Sequence, residues 1–367
     1  LISQKEKENA VIPGISGSPV FSVNGQPESS LFSPGKPIIT RLSDALNLAP
    51  LIFEQNIGKY ANIESAALTA LNTAFFRDGV FIYIPDHTLV EEPIYIVNLI
   101  TPKAEAGENL IVHPRNLYLL GKNSSATIIE TNINYPKQSK GGVFTNSVTE
   151  IVLEENAHAD IYQLQNDEAY NNCLVSSKYI HQKRDSVFTH ITFTLNGEFV
   201  RNNVTAAMAG EGSECHLYGF YHTRHHQQVD NHTFIDHKSP NCRSNELYAG
   251  ILDGQSSGIF NGKVMVRKDA QKTNAFQANR NIIISDDAAM NTKPELEIYA
   301  DDVKCSHGAT TGQVDKEALF YLLSRGISLA KAQSMLLLGF ADEVINKIKQ
   351  EALKKEIRKL LSARFEG

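Results

Sequence analysis

From Val80 to Ala300 the chain is a succession of short β-branched or aromatic runs, each cut off by Pro, Gly or Asn. Val80-Phe-Ile-Tyr-Ile-Pro85, Ile94-Tyr-Ile-Val97, Asn116-Leu-Tyr-Leu-Leu120 and Ala126-Thr-Ile-Ile129 open the series. It continues at 150–153, 159–164, 187–195, 203–208, 216–221, 233–235, 246–252, 258–266, 276–284 and 296–300. Such residues suit a pleated, half-buried surface. Over the second half they recur roughly every 12–18 residues, a spacing that fits short strands separated by turns. A sandwich would bring hairpin turns and clean alternation. Here Asn-Gly pairs are few, and Asn202, Asn203, Asn231, Asn261, Asn274 and Gln277 fall in or beside the runs. Stacked coils tolerate those residues, because equivalent positions form side-chain ladders. Periodicity by itself leaves both architectures open.

The flanks read differently. The first stretch, through Pro13-Gly14, Gly17-Ser18-Pro19 and Pro34-Gly35-Lys36-Pro37, is broken by turn formers and argues against helix. Within it, Pro19-Val-Phe-Ser-Val23 alternates ahead of Asn24-Gly25, a strand-and-turn signal. Ser43 is placed to cap Asp44-Ala45-Leu46, and Ala66, Ala67, Ala70, Leu71 and Ala74 repeat at helix spacing before Asp78-Gly79. After Gly308 the composition turns helical. Asp315 can cap a helix carrying Ala318, Leu319, Leu322 and Leu323 that ends at Gly326; Ser328 can cap a second carrying Leu329, Ala332, Leu336 and Phe340. A last basic helix is expected over 342–363, with Ile345, Ile348, Ala352, Leu353, Ile357, Leu360 and Leu361 near one face and a solvated Lys/Arg face. The expected division is 1–78, 79–310 and 311–367.

With 367 residues the chain can bury a substantial core. Its net charge of -6 gives no electrostatic reason to expect nucleic acid or an anionic membrane as partner. No apolar run approaches the ~20 residues that span a bilayer. Cys173, Cys215, Cys242 and Cys305 lie far apart with no Cys-x-x-Cys, which favours reduced thiols in the cytoplasm, or in an organelle if a transit peptide has been removed.

Phosphate-loop, nucleophile-elbow and dinucleotide motifs are missing, and Gly210-Glu211-Gly212-Ser213 lacks the Lys and helix of a phosphate loop. ATP hydrolysis would have to come from another subunit. Asp286-Asp287 and Asp301-Asp302 are tight acidic pairs, so a carbohydrate-active β-helix enzyme is the alternative reading. Adjacent strand residues, however, point to opposite faces. Histidines crowd at His222, His225, His226, His232 and His237, where metal binding competes with side-chain ladders. In Asp301-Asp-Val-Lys-Cys-Ser-His-Gly-Ala-Thr310, Cys305 and His307 stand two apart, on one face if the segment is a strand. They could present sulfur and nitrogen to one iron atom; a buried thiol beside a satisfied histidine has the same spacing.

The run Lys293-Pro-Glu-Leu-Glu-Ile-Tyr-Ala-Asp-Asp-Val-Lys-Cys-Ser-His-Gly-Ala-Thr-Thr-Gly312 follows Asp230-Asn-His-Thr-Phe-Ile-Asp-His237 and Asp269-Ala-Gln-Lys-Thr-Asn-Ala-Phe-Gln277. Together they closely resemble the SufB/SufD family of iron-sulfur cluster assembly proteins, a likeness that runs from the region of Ser18 to that of Ile345. The SufB branch carries Glu-His-Glu where this chain reads Cys305-Ser306-His307, which points to the SufD branch. The resemblance implies a mainly β fold, a right-handed parallel β-helix core flanked by small helical regions at both ends. It implies a non-catalytic scaffold subunit that binds no cofactor stably, with a transient iron-sulfur cluster at the interface with a SufB-like subunit. His307, and less securely Cys305, would serve that cluster. Two ligands are too few for a cluster held by four, so a second chain would supply the rest. A SufC-like ATPase is expected on the C-terminal helices, with Leu319, Tyr321, Leu322, Arg325, Ile327 and Met335 as docking residues, and a homodimer in isolation is compatible. Members usually carry a further N-terminal segment with a Trp-Lys-Tyr-type motif. This chain starts at Leu1 and has no Trp, so truncation there is expected.

Overall fold

The computed structural model describes residues 2–28, 36–101, 109–134, 141–166 and 171–366; Pro34 and Gly35 of the turn-rich N-terminal stretch lie outside them. Of the described residues 47% are strand and 21% helix, and the core is a parallel β-solenoid of about 7 turns with short helices at both ends. From Arg115–Leu120 onward successive strands alternate between two sheets. Asn172–Gln182, Phe199–Met208, Gln228–His237, Ser257–Val266 and Ala289–Ile298 stack in the first. His158–Gln165, Val187–Thr194, Glu214–Thr223, Arg243–Leu252, Thr273–Ile283 and Val303–Gly312 stack in the second. Two of the hydrophobic runs therefore make one coil, which is why a spacing near half a coil is visible in the sequence.

One corner of each coil has a repeated chemical cause. Asn123, Asn156, Asp185, Gly212, Asn241 and Lys272 all hold positive φ there, a conformation that Asn, Asp and Gly adopt at least cost. Their N–H groups reach the next coil, as in Asn123 to the Glu155 carbonyl and Asn156 to the Arg184 carbonyl. The residue after each, Ser124, Ala157, Ser186, Ser213, Cys242 and Thr273, is fully buried. Only small side chains fit inside so tight a bend. Cys242 is thereby a packing residue, its Sγ 3.3 Å from Ser213 Oγ.

Inward-facing side chains line up in files because the coils stack in register. One file runs Ala126, Ala159, Phe188, Cys215, Ser244, Ala275, Cys305. The next runs Ile128, Ile161, His190, Leu217, Glu246, Gln277, His307. Outside the second sheet, Tyr162, Phe193, Phe220 and Ile251 pack against Leu337, Ala341, Ile345, Leu353, Ile357 and Leu361 of the C-terminal helices. Each such buried aliphatic side chain is worth about 1.5–3 kcal/mol.

The ends depart from the sequence expectations in instructive ways. Gln4–Ala10 is a helix although turn formers follow it, because Ser3 and Glu6 form a reciprocal capping box. Val20–Val23 and Gln26–Pro27 form the expected hairpin, with Asn24 and Gly25 at positive φ, and Val20–Val23 also pairs in parallel with Ile94–Ile100. Ser43 does not cap. It lies inside helix Leu42–Leu48, where its Oγ donates to Asp78 at 3.0 Å. Ala67–Phe75 is helical. Strand Val303–Gly312 continues past Gly308, and Ile38–Arg41 joins the first sheet antiparallel to Val80–Ile84.

Asp315 accepts from the N–H groups of Glu317 and Ala318 at the start of helix Lys316–Ser324, whereas Ser328 occupies the N-cap of Leu329–Ile345 without a side-chain bond. That second helix runs beyond residue 342, since Ala341, Val344 and Ile345 bury against the solenoid. The break before Glu351–Phe365 is pinned by the Lys349 N–H, which donates to Tyr162 Oη at 3.2 Å.

Candidate functional site at the open end of the solenoid

Val303–Gly312 is the last strand of the second sheet; among the described residues its one strand neighbour is Thr273–Ile283 and its other edge is unpaired. The strand's alternation sends Cys305 and His307 to the same inward face. Cys305 is half-buried against the central core, and burial pushes its thiol up. A thiolate there needs a cation to compensate it. His307 is exposed. The strand thus brings the two sequence-chosen residues together, one rooted in the core and one free at the rim. Among the described residues no three His, Cys, Asp or Glu side chains converge on a metal-sized site.

The histidine-rich segment disperses. His222 faces the last helix, where its Nδ1 accepts from Arg364 Nε at 2.9 Å and its ring packs on Phe365. Burial, with Arg364 and Arg224 nearby, brings its pKa down to about 2. His237 points inward, 2.9 Å from Ser244 Oγ, and burial lowers it to about 4. His232 sits on the opposite face from His237, 2.8 Å from Asp230. His225 is a corner residue with positive φ. Asp286, Asp287, Asp301 and Asp302 are exposed and lie outside the strands.

Helix Lys316–Ser324 buries none of its residues. Of the residues expected to dock a partner, Leu319, Leu322 and Ile327 are half-buried. Tyr321 is 56% exposed with the Arg325 guanidinium 5.2 Å from its ring, and Met335 is exposed as well. Phe320 is 73% exposed beside them, and Leu323 and Leu329 are exposed as well. Glu246 and Gln277 stand directly behind His307 in the inward file, a placement that depends on the coil register and not on local sequence.

The amino-acid sequence matches two family models over most of its length. The model for the SufBD core domain of SUF system FeS cluster assembly covers residues 103–340, and that for the SufBD N-terminal region covers residues 4–96. The chain belongs to the SufB/SufD family. It is 33% identical over 300 residues to an iron-sulfur cluster assembly SufBD family protein of Synechocystis, spanning 80% of this chain and 65% of that one. With the iron-sulfur cluster assembly protein SufD of Escherichia coli it shares 32% identity over 265 residues, 71% of this chain and 61% of the relative. With the Arabidopsis thaliana chloroplastic protein ABCI7 it shares 32% over 285 residues, 77% and 59%. The chain therefore spans about three fifths of the length of these curated relatives. Among the described residues no helix is long and apolar enough to cross a membrane.

Proposed function

We propose that this SufB/SufD-family chain is a SufD-type scaffold subunit, without catalysis of its own, that helps assemble a transient iron-sulfur cluster against a SufB-like subunit. The observation that carries the reading is a thiol and an imidazole side by side on the inward face of a strand whose outer edge is unpaired. An open edge presents unsatisfied N–H and C=O groups that another strand can pair. Pairing there would bring a second chain's ligands to Cys305 and His307, whose sulfur and nitrogen suit iron. The cluster is cargo, held while the two chains enclose it and passed on afterwards. In isolation the same edge would serve a homodimer.

Energy enters through a partner. Helix Lys316–Ser324 and the neighbouring Met335 form an apolar surface that suits a SufC-like ATPase, and the helix follows the Cys305/His307 strand after three residues, Gln313, Val314 and Asp315. The four unpaired thiols suit a reducing compartment, the cytoplasm or an organelle. The test is reconstitution with SufB-like and SufC-like subunits and measurement of cluster absorbance. His307→Ala should abolish most of it while the isolated chain melts normally; Cys305→Ser should reduce it less. Normal cluster formation with His307→Ala overturns the site, and failure to co-purify with either partner overturns the scaffold role.

A further inference from the structure

The inward file beneath His307 is chemically unusual. Further back it holds Ile128, Ile161 and Leu217 with the buried His190 among them, and its last two positions before His307 are both polar, Glu246 and Gln277. Both are buried, Gln277 at 3% exposure. Gln277 Nε2 donates to Glu246 Oε2 at 2.7 Å, while Gln277 Oε1 and Glu246 Oε1 have no hydrogen-bond partner among the described residues. Unpaired buried oxygens are costly, and two apolar residues of similar shape would avoid the cost. Room for the amide is made on the opposite sheet. A Cβ on Gly262 would stand 2.5 Å from Gln277 Nε2, so any larger residue there would displace it.

The geometry has a direction. The amide nitrogen is committed backward to Glu246, so the carbonyl oxygen at the other end of the amide is turned away from it. Gln277 pairs in register with His307 on the next strand, and neighbouring strands lie only about 4.8 Å apart. An acceptor without a donor thus stands one coil behind an exposed imidazole that has a ring N–H to give. Metal-bound histidines commonly place their second ring N–H on such an oxygen, which fixes tautomer and ring orientation.

We propose that Gln277, held by Glu246, is a positioning residue for His307: its amide oxygen receives one ring N–H and leaves the other ring nitrogen facing out of the coil toward iron. The inference rests on the role proposed for His307, but its contact is testable without a cluster. Nitrogen-15 NMR of the His307 ring in the full chain reports the tautomer directly. One tautomer should dominate in the parent protein, and Gln277→Met, which keeps the shape and removes both amide ends, should release the ring to a mixture. Glu246→Gln should act in the same direction but less, and provides the readout if Gln277→Met fails to fold. In the reconstituted complex Gln277→Met should cut cluster formation roughly tenfold. Unchanged ring signals in both variants overturn the proposal even if His307→Ala abolishes the cluster. Altered ring signals with a cluster indifferent to His307→Ala would keep the contact and remove the role of His307.

Discussion

The carboxylate of Glu150 meets the guanidinium of Arg115 at 2.7 Å with the two side chains 0% and 2% exposed. The same carboxylate accepts the backbone N–H groups of Gly58, Tyr60 and Ala61, while Arg115 Nη1 donates to Thr73 Oγ1 at 3.0 Å. One ion pair in the solenoid wall therefore fastens both the loop after helix Pro50–Asn56 and helix Ala67–Phe75. Glu150→Ala would leave the arginine buried without its counter-ion, so chemical denaturation should show a loss of about 3–5 kcal/mol. A loss below about 1 kcal/mol, the level of a surface pair, would reject this anchor.

Stability should depend on pH through Glu246. Burial raises its pKa from the ordinary 4.5 to about 7, opposed by the nearby Thr233 hydroxyl and by the hydrogen bond from Gln277. Between those values the folded chain holds a proton that the unfolded chain releases. The favourable contribution is complete below about 4.5 and is lost as pH rises through about 7. Glu246→Gln should flatten the stability curve across that window and stabilise most above pH 7, by on the order of 2 kcal/mol. Melting curves across the window decide it, and a slope identical to the parent's counts against a buried titrating carboxyl.

Helix Lys316–Ser324 fully buries none of its residues, so altering its exposed face should cost the fold little. Phe320→Asp is expected to leave the melting temperature within a degree or so, given that exposed substitutions usually cost less than about 0.5 kcal/mol. Binding of a SufC-like ATPase should fall by at least about tenfold if the aromatic is an anchor. Calorimetric titration of the two purified chains checks this; undiminished affinity would move the docking surface elsewhere.

The four thiols should separate by depth. Cys215 and Cys242 are fully buried, and burial raises both. Cys173 and Cys305 are half-buried. Maleimide labelling followed by mass spectrometry should modify Cys173 and Cys305 first and reach Cys215 and Cys242 only under denaturing conditions. Cys242→Leu should destabilise by about 1–3 kcal/mol, because the inside of the corner has no room for the larger side chain.

Strand positions were legible because β-branched runs and their Asn and Gly punctuation are local signals. Coil stacking was less so, since alternation says which residues share a face but not which strand lies alongside. The clue was present in the corners, where Asn123, Asn156, Asp185 and Asn241 each precede a small residue, a pairing that makes sense only once the coils are stacked. Helix boundaries failed where contacts far along the chain decide them, as at Ile345, and held where a side chain next to the boundary decides them, as at Asp315. Cys305 and His307 could be placed on one face from their spacing. The five crowded histidines could not be sorted, because opposite strand faces and corners take neighbours in sequence to different surroundings.

The stacked corners also govern how such a molecule can change in length. Each coil bonds chiefly to the one before and the one after, so the solenoid is a linear array with a counted number of units. Adding or removing one complete coil, corner included, would shift the Cys305/His307 end relative to the hairpin at Val20–Val23 by one strand spacing, about 4.8 Å, while every remaining file kept its register. The reach between the two ends of the scaffold is thus quantised in coils, and a lineage could lengthen or shorten it without redesigning either terminus.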